Sequence, residues 1–228
     1  MYSFLGRMQH WLPALLIAAV IAPLGTASLS TAVAPAAPAA PVASCAAVDV
    51  VVARGTWEPG ALGWIVGGPA FSALHHKLPS TSLSSYPVNY PANLNQPKSV
   101  QQGNRDLVEH VTNQAHACPH QRFILVGYSQ GANVVDNSLG ISSDGALVGG
   151  PIVATIPASI EPRIAAVLLF GNPIHAHGKS ITGTYYTRTK EYCAHRDLIC
   201  TKGIDPFPHF SYGLLYVKDA AAFAASKL

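Results

Sequence analysis

Residues 121–132 read QRFILVGYSQGA, a short apolar run followed by a turn of small residues. The run at 123–126 predicts a buried strand, and the segment after it is compatible with the start of a helix. The letters GYSQG around Ser129 match the nucleophile elbow, in which a sharp strand-to-helix turn exposes a serine hydroxyl. Glycines suit the outer positions because such a turn leaves no room for Cβ atoms. The motif alone arises by chance in about one chain in ten, so other residues must show whether Ser129 is a nucleophile.

The composition favours one sizeable domain with a weakly charged surface. Of the 228 residues, 49% are apolar and only 11% are charged, against about 25% charged in an average soluble domain. The net charge of +3 comes from scattered lysines and arginines without a basic run, which argues against nucleic acid as a partner. Four cysteines are an even number and favour two disulfides in an oxidising compartment.

The first 27 residues have the layout of a secretory signal peptide. Arg7 precedes an apolar run at 11–24, and small residues at 25–27 offer a cleavage site. A retained membrane anchor is the alternative, but the run is shorter than the roughly 20 residues that span a bilayer. A lipid-anchored Cys45 is disfavoured because it lies far beyond this run. We therefore expect an extracellular protein, free or associated with the cell wall, with no stable membrane insertion after cleavage.

Beyond the signal, residues 28–44 are an Ala/Pro-rich stretch that predicts a disordered linker. The folded domain is predicted to cover 45–228. Within it, strand and helix patterns alternate. The predicted strands are 48–53, 83–90, 123–126, 164–170 and 184–192, and the predicted helices are 69–78, 100–118, 132–139 and 210–228. This alternation predicts a mainly parallel sheet covered by helices on both faces, a three-layer α/β architecture.

Ser129 needs a base and an acid, which α/β-hydrolases supply in the chain order Ser, acid, His. The candidates are the acids Asp136, Asp144, Glu161, Glu191, Asp197 and Asp205 and the histidines His175, His177, His195 and His209. Asp197 stands out because it lies in a short loop between two cysteines, and His209 follows that loop. Asp205 is the alternative acid, without such a tether. His195 precedes Asp197 and is therefore in the wrong order.

The cysteine spacing supports Asp197 as the acid. A bond between Cys193 and Cys200 would close a short loop and stabilise the fold by about 2.5 kcal/mol on chain-entropy grounds. It would also fix the position of the carboxylate. A triad acid must be fixed in this way to keep the imidazole in one tautomer. Cys45 and Cys118 are then left for a second, purely structural bond.

The residues around the reacting atoms can be placed in outline. An oxyanion hole needs two donors; the candidates are the N–H of Gln130, after the nucleophile, and that of Thr56, after the first strand. Trp57 and Trp64 follow this turn, and we expect them to pack in the core, with a substrate-facing rim as the alternative. Phe207, between prolines, is either a turn residue or part of an acyl pocket.

Together these motifs resemble those of the cutinase family of secreted serine esterases, in its actinobacterial cutinase-like branch. The resemblance covers residues 45–212, nearly all of the predicted domain. It is carried by ARGTxExG from Ala53, YPA from Tyr90, GYSQGA from Gly127, FGNP from Phe170, the cysteine loop around Asp197 and HxxY from His209. GYSQG combined with an aspartate inside a short Cys–Cys loop is a specific signature.

The resemblance implies a complete site. Its parts are the triad Ser129, Asp197 and His209, the oxyanion donors Thr56 and Gln130, and the disulfides Cys45–Cys118 and Cys193–Cys200. It also implies a small α/β-hydrolase fold with a five-stranded, mainly parallel sheet and no large lid. Neither a metal nor an organic cofactor takes part in this chemistry.

Two positions depart from the family pattern. Arg196 stands where many members have glycine, and a cation there could compete with His209 for the carboxylate of Asp197. Asn172 replaces an aspartate at a position that we interpret as structural. A metal site at the HxH sequence from His175 is disfavoured because no carboxylate lies nearby in sequence.

The sequence thus predicts a secreted, monomeric serine carboxylic-ester hydrolase that forms an acyl-enzyme on Ser129. Its substrate would be an acyl ester, a lipid or a polyester, since the family name does not fix the substrate. The alternatives are a polysaccharide deacetylase of the acetylxylan esterase type and a non-catalytic surface protein on the same scaffold.

Overall fold

The computed structural model describes residues 45–228, so the predicted signal peptide at 1–27 and linker at 28–44 lie outside the described residues and stay predictions. The described chain folds around one sheet in which all neighbouring strands are parallel, in the order β2-β1-β3-β4-β5. The strands are β1 Val48–Ala53, β2 Leu83–Pro87, β3 Arg122–Tyr128, β4 Ile164–Phe170 and β5 Thr189–Tyr192. β1 and β4 are buried along their whole length, as expected for parallel strands covered on both faces.

Helices cover both faces of the sheet. They are α1 Gly67–Lys77, α2 Lys98–Ala117, α3 Gln130–Ser138, α4 Tyr212–Leu215 and α5 Val217–Ala225. On one face, apolar residues of α2 and α3 pack against alternate strand residues such as Val51 and Leu125. On the other face, α1 and α5 pack against the intervening residues, such as Val50 and Ile124. The predicted three-layer architecture with a five-stranded parallel sheet is therefore confirmed.

The last predicted strand was too long. Residues Gly183–Arg188 form a 3₁₀ helix, and only Thr189–Tyr192 joins the sheet. The guanidinium of Arg188 donates hydrogen bonds to the carbonyls of Glu161 (2.9 Å) and Ile164 (3.0 Å). These tertiary contacts outweigh the local preference of threonine and tyrosine for extended structure.

The predicted final helix at 210–228 is broken into a 3₁₀ turn at Phe207–Phe210, then α4 and α5. The turn carries His209 into the interior, where it is buried. α4 then lies so close to the segment before α1 that a Cβ on Gly213 would fall 1.7 Å from the carbonyl oxygen of Ile65. Only glycine permits this close backbone approach.

Two disulfides fasten the domain, and both predicted pairings are present. Cys45–Cys118 ties the segment before β1 to the end of α2, and Cys193–Cys200 closes the loop after β5. The carboxyl ends of β1, β3, β4 and β5 all lie at one edge of the sheet, which is where open α/β sheets place their ligand-binding and active sites. No helix within 45–228 is long and apolar enough to cross a membrane.

Candidate active site

Ser129 occupies the turn between β3 and α3 in a strained backbone conformation. Its φ is 54° and its ψ is −119°, a region that residues with a Cβ rarely adopt. The turn is tight on both sides: a Cβ on Gly131 would lie 1.9 Å from the carbonyl oxygen of Ala53, and one on Gly127 would lie 2.7 Å from that of Gly131. The Ser129 N–H is held by the carbonyl of Phe170 at 2.9 Å. The predicted elbow geometry is thus present.

The structure brings Asp197 and His209 together. Nδ1 of His209 lies 2.8 Å from Oδ2 of Asp197, whose side chain is completely buried. The other carboxylate oxygen accepts the N–H of Ile199 at 2.7 Å. Because Nδ1 is engaged by a carboxylate, it carries the proton in the neutral ring and leaves Nε2 as the acceptor. His209 and Ser129 line the same pocket.

Two tyrosines support this pair, and the sequence reasoning assigned no role to either. The Tyr212 hydroxyl donates to Oδ2 of Asp197 at 2.5 Å, and the Tyr128 hydroxyl donates to the carbonyl of His209 at 2.7 Å. Burial raises the pKa of Asp197, but hydrogen bonds from His209 and Tyr212 outweigh it and hold the pKa below its ordinary value. The HxxY motif was the available signal for Tyr212.

Neither Arg196 nor Asp205 interferes with the acid. Arg196 is exposed and forms no ion pair within the described chain, so the suggested competition for Asp197 is absent. Its φ is 66°, a backbone conformation that favours glycine. The carboxylate of Asp205 accepts the N–H of Phe207 at 3.0 Å and caps that turn instead of holding the imidazole.

Thr56 and Gln130 face each other across the elbow. The side-chain amide of Gln130 donates to the carbonyl of Asn93 (2.8 Å) and to the Thr56 hydroxyl (3.3 Å), while its carbonyl accepts from the Ser99 hydroxyl (2.8 Å). This network fixes the orientation of the amide. Because the Thr56 hydroxyl oxygen already accepts a hydrogen bond, its own hydrogen remains available to a substrate oxyanion.

The pocket beside Ser129 has a volume of about 300 Å³ and mostly apolar walls. It is lined by Thr56, Trp57, Ile65, Leu94, Tyr128, Ser129, Leu147, Val148, Ile199, His209 and Phe210. The expectation that Trp57 and Trp64 pack in the core was wrong, since both are about 70% exposed (70% and 71%). Phe210 lines the pocket, whereas Phe207 projects from the turn beside it. No cluster of metal-ligating side chains occurs within residues 45–228.

Behind the nucleophile helix, Asn172 bridges the buried Asp136 and the half-buried Glu191. Its amide donates to Asp136 on α3 (3.2 Å) and to Glu191 on β5 (3.0 Å). Asp136 is completely buried, and its second carboxylate oxygen has no hydrogen-bond partner among the described residues. Burial, followed by repulsion from Glu191, raises the pKa of Asp136 well above its ordinary value. Asn172 therefore has the structural role that the sequence suggested.

Because its pKa is raised, Asp136 lowers the stability of the folded protein at high pH. The unfolded chain loses this proton near pH 4, whereas the folded chain keeps it to higher pH, so the free energy of unfolding falls as pH rises between these values. We expect Asp136→Asn to stabilise the protein by about 1 to 3 kcal/mol at pH 8 and to have little effect near pH 4. Thermal unfolding across this range measures the difference, with the exposed Asp144→Asn as control. A stability gain that does not vary with pH would contradict this explanation.

Comparison with known proteins agrees with the geometry. The family model for cutinase matches residues 44–228. A cutinase of Kineococcus radiotolerans is 42% identical over 160 residues, which are 69% of this chain and 52% of that protein, so the chain spans about half the length of this relative.

Two solved structures share the fold. A cutinase of Trichoderma reesei, in complex with a phosphonate inhibitor, aligns with a TM-score of 0.66 at 31% identity over 80% of this chain and 77% of that one. An acetylxylan esterase aligns with a TM-score of 0.69 at 25% identity over 81% of this chain and 99% of that one. Because the family model spans the whole described domain, the chain belongs to the cutinase family of carboxylic ester hydrolases.

Proposed function

We propose that this protein hydrolyses carboxylic esters of apolar acyl chains through an acyl-enzyme on Ser129. One observation carries the proposal: a serine in a strained elbow shares an apolar pocket with a histidine whose Nδ1 is held by a buried carboxylate. A strained backbone and a buried charge both reduce stability, so their combination in one pocket favours a catalytic role over a scaffold role.

In the proposed reaction, Nε2 of His209 takes the Ser129 proton as the hydroxyl oxygen attacks the ester carbonyl carbon. Asp197 keeps the imidazole in the required tautomer and stabilises its cation. The Gln130 and Thr56 N–H groups, with the Thr56 hydroxyl, stabilise the tetrahedral oxyanion. The intermediate then expels the alcohol, which takes its proton from His209. A water attacks the acyl-enzyme with His209 again as base, the bond between the acyl carbon and the Ser129 oxygen breaks, and His209 returns the proton to Ser129 as the acid leaves.

The pocket walls favour an acyl chain longer than acetyl. The side chains of Trp57, Ile65, Leu94, Leu147 and Phe210 are among those that line the pocket, and an acetyl group would cover little of this apolar surface. The fold does not decide between a cutinase and a polysaccharide deacetylase, since it is shared with solved structures of both kinds. The apolar lining therefore supports the ester of a fatty acid or a polyester over an acetylated sugar.

Hydrolysis of p-nitrophenyl acetate, butyrate, hexanoate and octanoate tests this proposal. Each methylene that enters the pocket is worth about 0.8 kcal/mol, so kcat/KM should rise by about tenfold from acetate to butyrate. Leu147→Ser should flatten this dependence because Leu147 lines the pocket. Leu214→Ser, at an exposed leucine outside the pocket, is the matched control. A preference for acetate would favour the deacetylase instead.

We also propose that the enzyme is secreted as a monomer, after removal of residues 1–27, with 28–44 as a linker to the folded domain. The charge and apolar run of the N-terminal sequence support secretion, and two disulfides suit an oxidising compartment. Association with the cell wall is the alternative to free release. The absence of any basic run in the sequence argues against nucleic acid as a partner.

A further inference from the structure

Glu58 is a buried carboxylate beneath the turn that carries Thr56. Its side chain is 6% exposed. One carboxylate oxygen accepts the N–H of Gly55 at 2.5 Å, and the other accepts the N–H of Ile65 at 2.7 Å. Glu58 thus joins the residue before Thr56 to the segment that leads into α1. The triad mechanism assigns no task to this carboxylate.

The turn that it holds is strained. Trp57 has a φ of 58°, a conformation that costs energy in any residue with a Cβ. The Trp57 N–H is tied to the carbonyl of Ala92 at 2.7 Å, and the Glu58 N–H to that of Gly55 at 3.2 Å. The hydrogen bond from Gly55 to the carboxylate completes this set and fixes the chain on the N-terminal side of Thr56.

The carboxylate has no freedom to move. A Cβ on Gly63 would lie 2.5 Å from one of its oxygens, and Gly63 has a φ of +80°. The charged and titratable groups around Glu58 are Arg54, whose guanidinium donates to the Glu58 carbonyl at 3.2 Å, and the hydroxyl-bearing Tyr90 and Tyr128. Burial raises the pKa of Glu58, although its backbone hydrogen bonds and Arg54 oppose this effect.

We propose that Glu58 is a positioning residue for the oxyanion hole. By accepting the N–H of Gly55, its carboxylate holds the Thr56 donors in place. The inference rests on the proposed function of Ser129. Oxyanion donors act only when they are aimed at the position of the transition-state oxygen, so a shift of a fraction of an ångström reduces their contribution. An ionised carboxylate accepts both N–H groups with its two oxygens, a protonated acid accepts them more weakly, and an amide replaces one acceptor with a donor.

Glu58→Gln tests this role because it keeps the size of the side chain but offers one acceptor instead of two. We expect kcat per active site to fall by about 10- to 100-fold with KM changed by less than about twofold, because only the transition state carries the oxyanion. Active sites are counted by complete reaction with diethyl p-nitrophenyl phosphate, so that unfolded protein is not scored. Asp106→Asn is the control, at a carboxylate that accepts the N–H of Asn89 and does not line the pocket.

The pH dependence of kcat distinguishes a positioning role of Glu58 from a role in stability alone. In the wild type, kcat should fall on the acid side partly through protonation of Glu58, whose pKa burial raises, whereas Glu58→Gln lacks this titrating group and should show a shallower decline. Should Glu58→Gln not fold, Glu58→Asp keeps the charge and should retain the steeper limb with a smaller loss of kcat. Unchanged kcat per site, or an unchanged acid limb, would overturn this inference. An inactive, unlabelled wild type would instead overturn the proposed function on which it rests.

Discussion

Replacing Ser129 with alanine is expected to lower kcat for ester hydrolysis by about 10⁴- to 10⁶-fold while the protein stays folded. The loss is large because the hydroxyl oxygen forms the covalent bond to the acyl group, and no neighbouring group can replace it. The fold should survive because the Ser129 side chain makes no hydrogen bond within the described residues, and alanine meets the same backbone constraint at φ 54°.

A fluorophosphonate probe gives the second readout. It should label the wild type at Ser129, and it should fail to label Ser129→Ala and label His209→Ala far more slowly, since the serine then lacks its base. Ser142→Ala, in the loop after α3, is the control and should label and hydrolyse as the wild type does. Activity that survives Ser129→Ala would contradict the proposed nucleophile. Absence of labelling in folded wild type would favour the non-catalytic surface protein.

The parts of the fold that the sequence predicted well are those governed by local pattern. Apolar runs at β1, β3 and β4 are buried on both faces, so their hydrophobicity is continuous and easy to detect. The elbow is equally local, because its tight geometry requires glycine at Gly127 and Gly131, two residues before and two residues after Ser129. The tethered Asp197 could be predicted because the cysteines that flank it are close in sequence.

The features that the sequence did not predict depend on contacts between distant segments. Tyr212 reaches Asp197 and the N–H of Ala194 only after the chain folds back from the sheet edge. The 3₁₀ helix before β5 depends on where Arg188 finds carbonyl partners. No period or propensity in the local sequence encodes such pairings, which are set by the tertiary structure.

Exposure was the hardest property to predict near the pocket. Trp57 is apolar and follows a core strand, so burial was the reasonable expectation, yet it is 70% exposed. The turn from Gly55 to Glu58 directs Glu58 inward to bind backbone N–H groups, and Trp57 consequently faces the pocket. A buried acid and an exposed aromatic at adjacent positions reverse the usual rule, which is typical of functional sites.

Asp197→Asn is expected to lower kcat by about 10⁴-fold, as when a triad aspartate becomes asparagine elsewhere. In this chain the reason can be traced to the hydrogen bonds. Oδ2 of Asp197 accepts from both His209 and Tyr212, and Oδ1 accepts the N–H of Ile199. If the asparagine carbonyl keeps Ile199, its amide group faces Nδ1 of His209. The ring must then carry its proton on Nε2, where it cannot accept the proton of Ser129.

The opposite amide orientation would keep the histidine tautomer but place a donor against the Ile199 N–H, leaving a buried group unpaired at about 1 to 3 kcal/mol. Activity should therefore be lost in one orientation and stability in the other. Tyr212→Phe keeps the carboxylate and should lower kcat by about tenfold at most.

The neighbouring acid provides the decisive comparison. Asp205→Asn should leave kcat unchanged, because an amide oxygen can still accept the Phe207 N–H that Asp205 caps. A larger loss in Asp205→Asn than in Asp197→Asn would assign the acid to Asp205 and refute the proposed triad. Stability adds an independent check, because the lowered pKa of Asp197 contributes stability above its ordinary titration range that is lost as pH falls through the folded value. Asp197→Asn should accordingly destabilise the protein more at neutral pH than in acid.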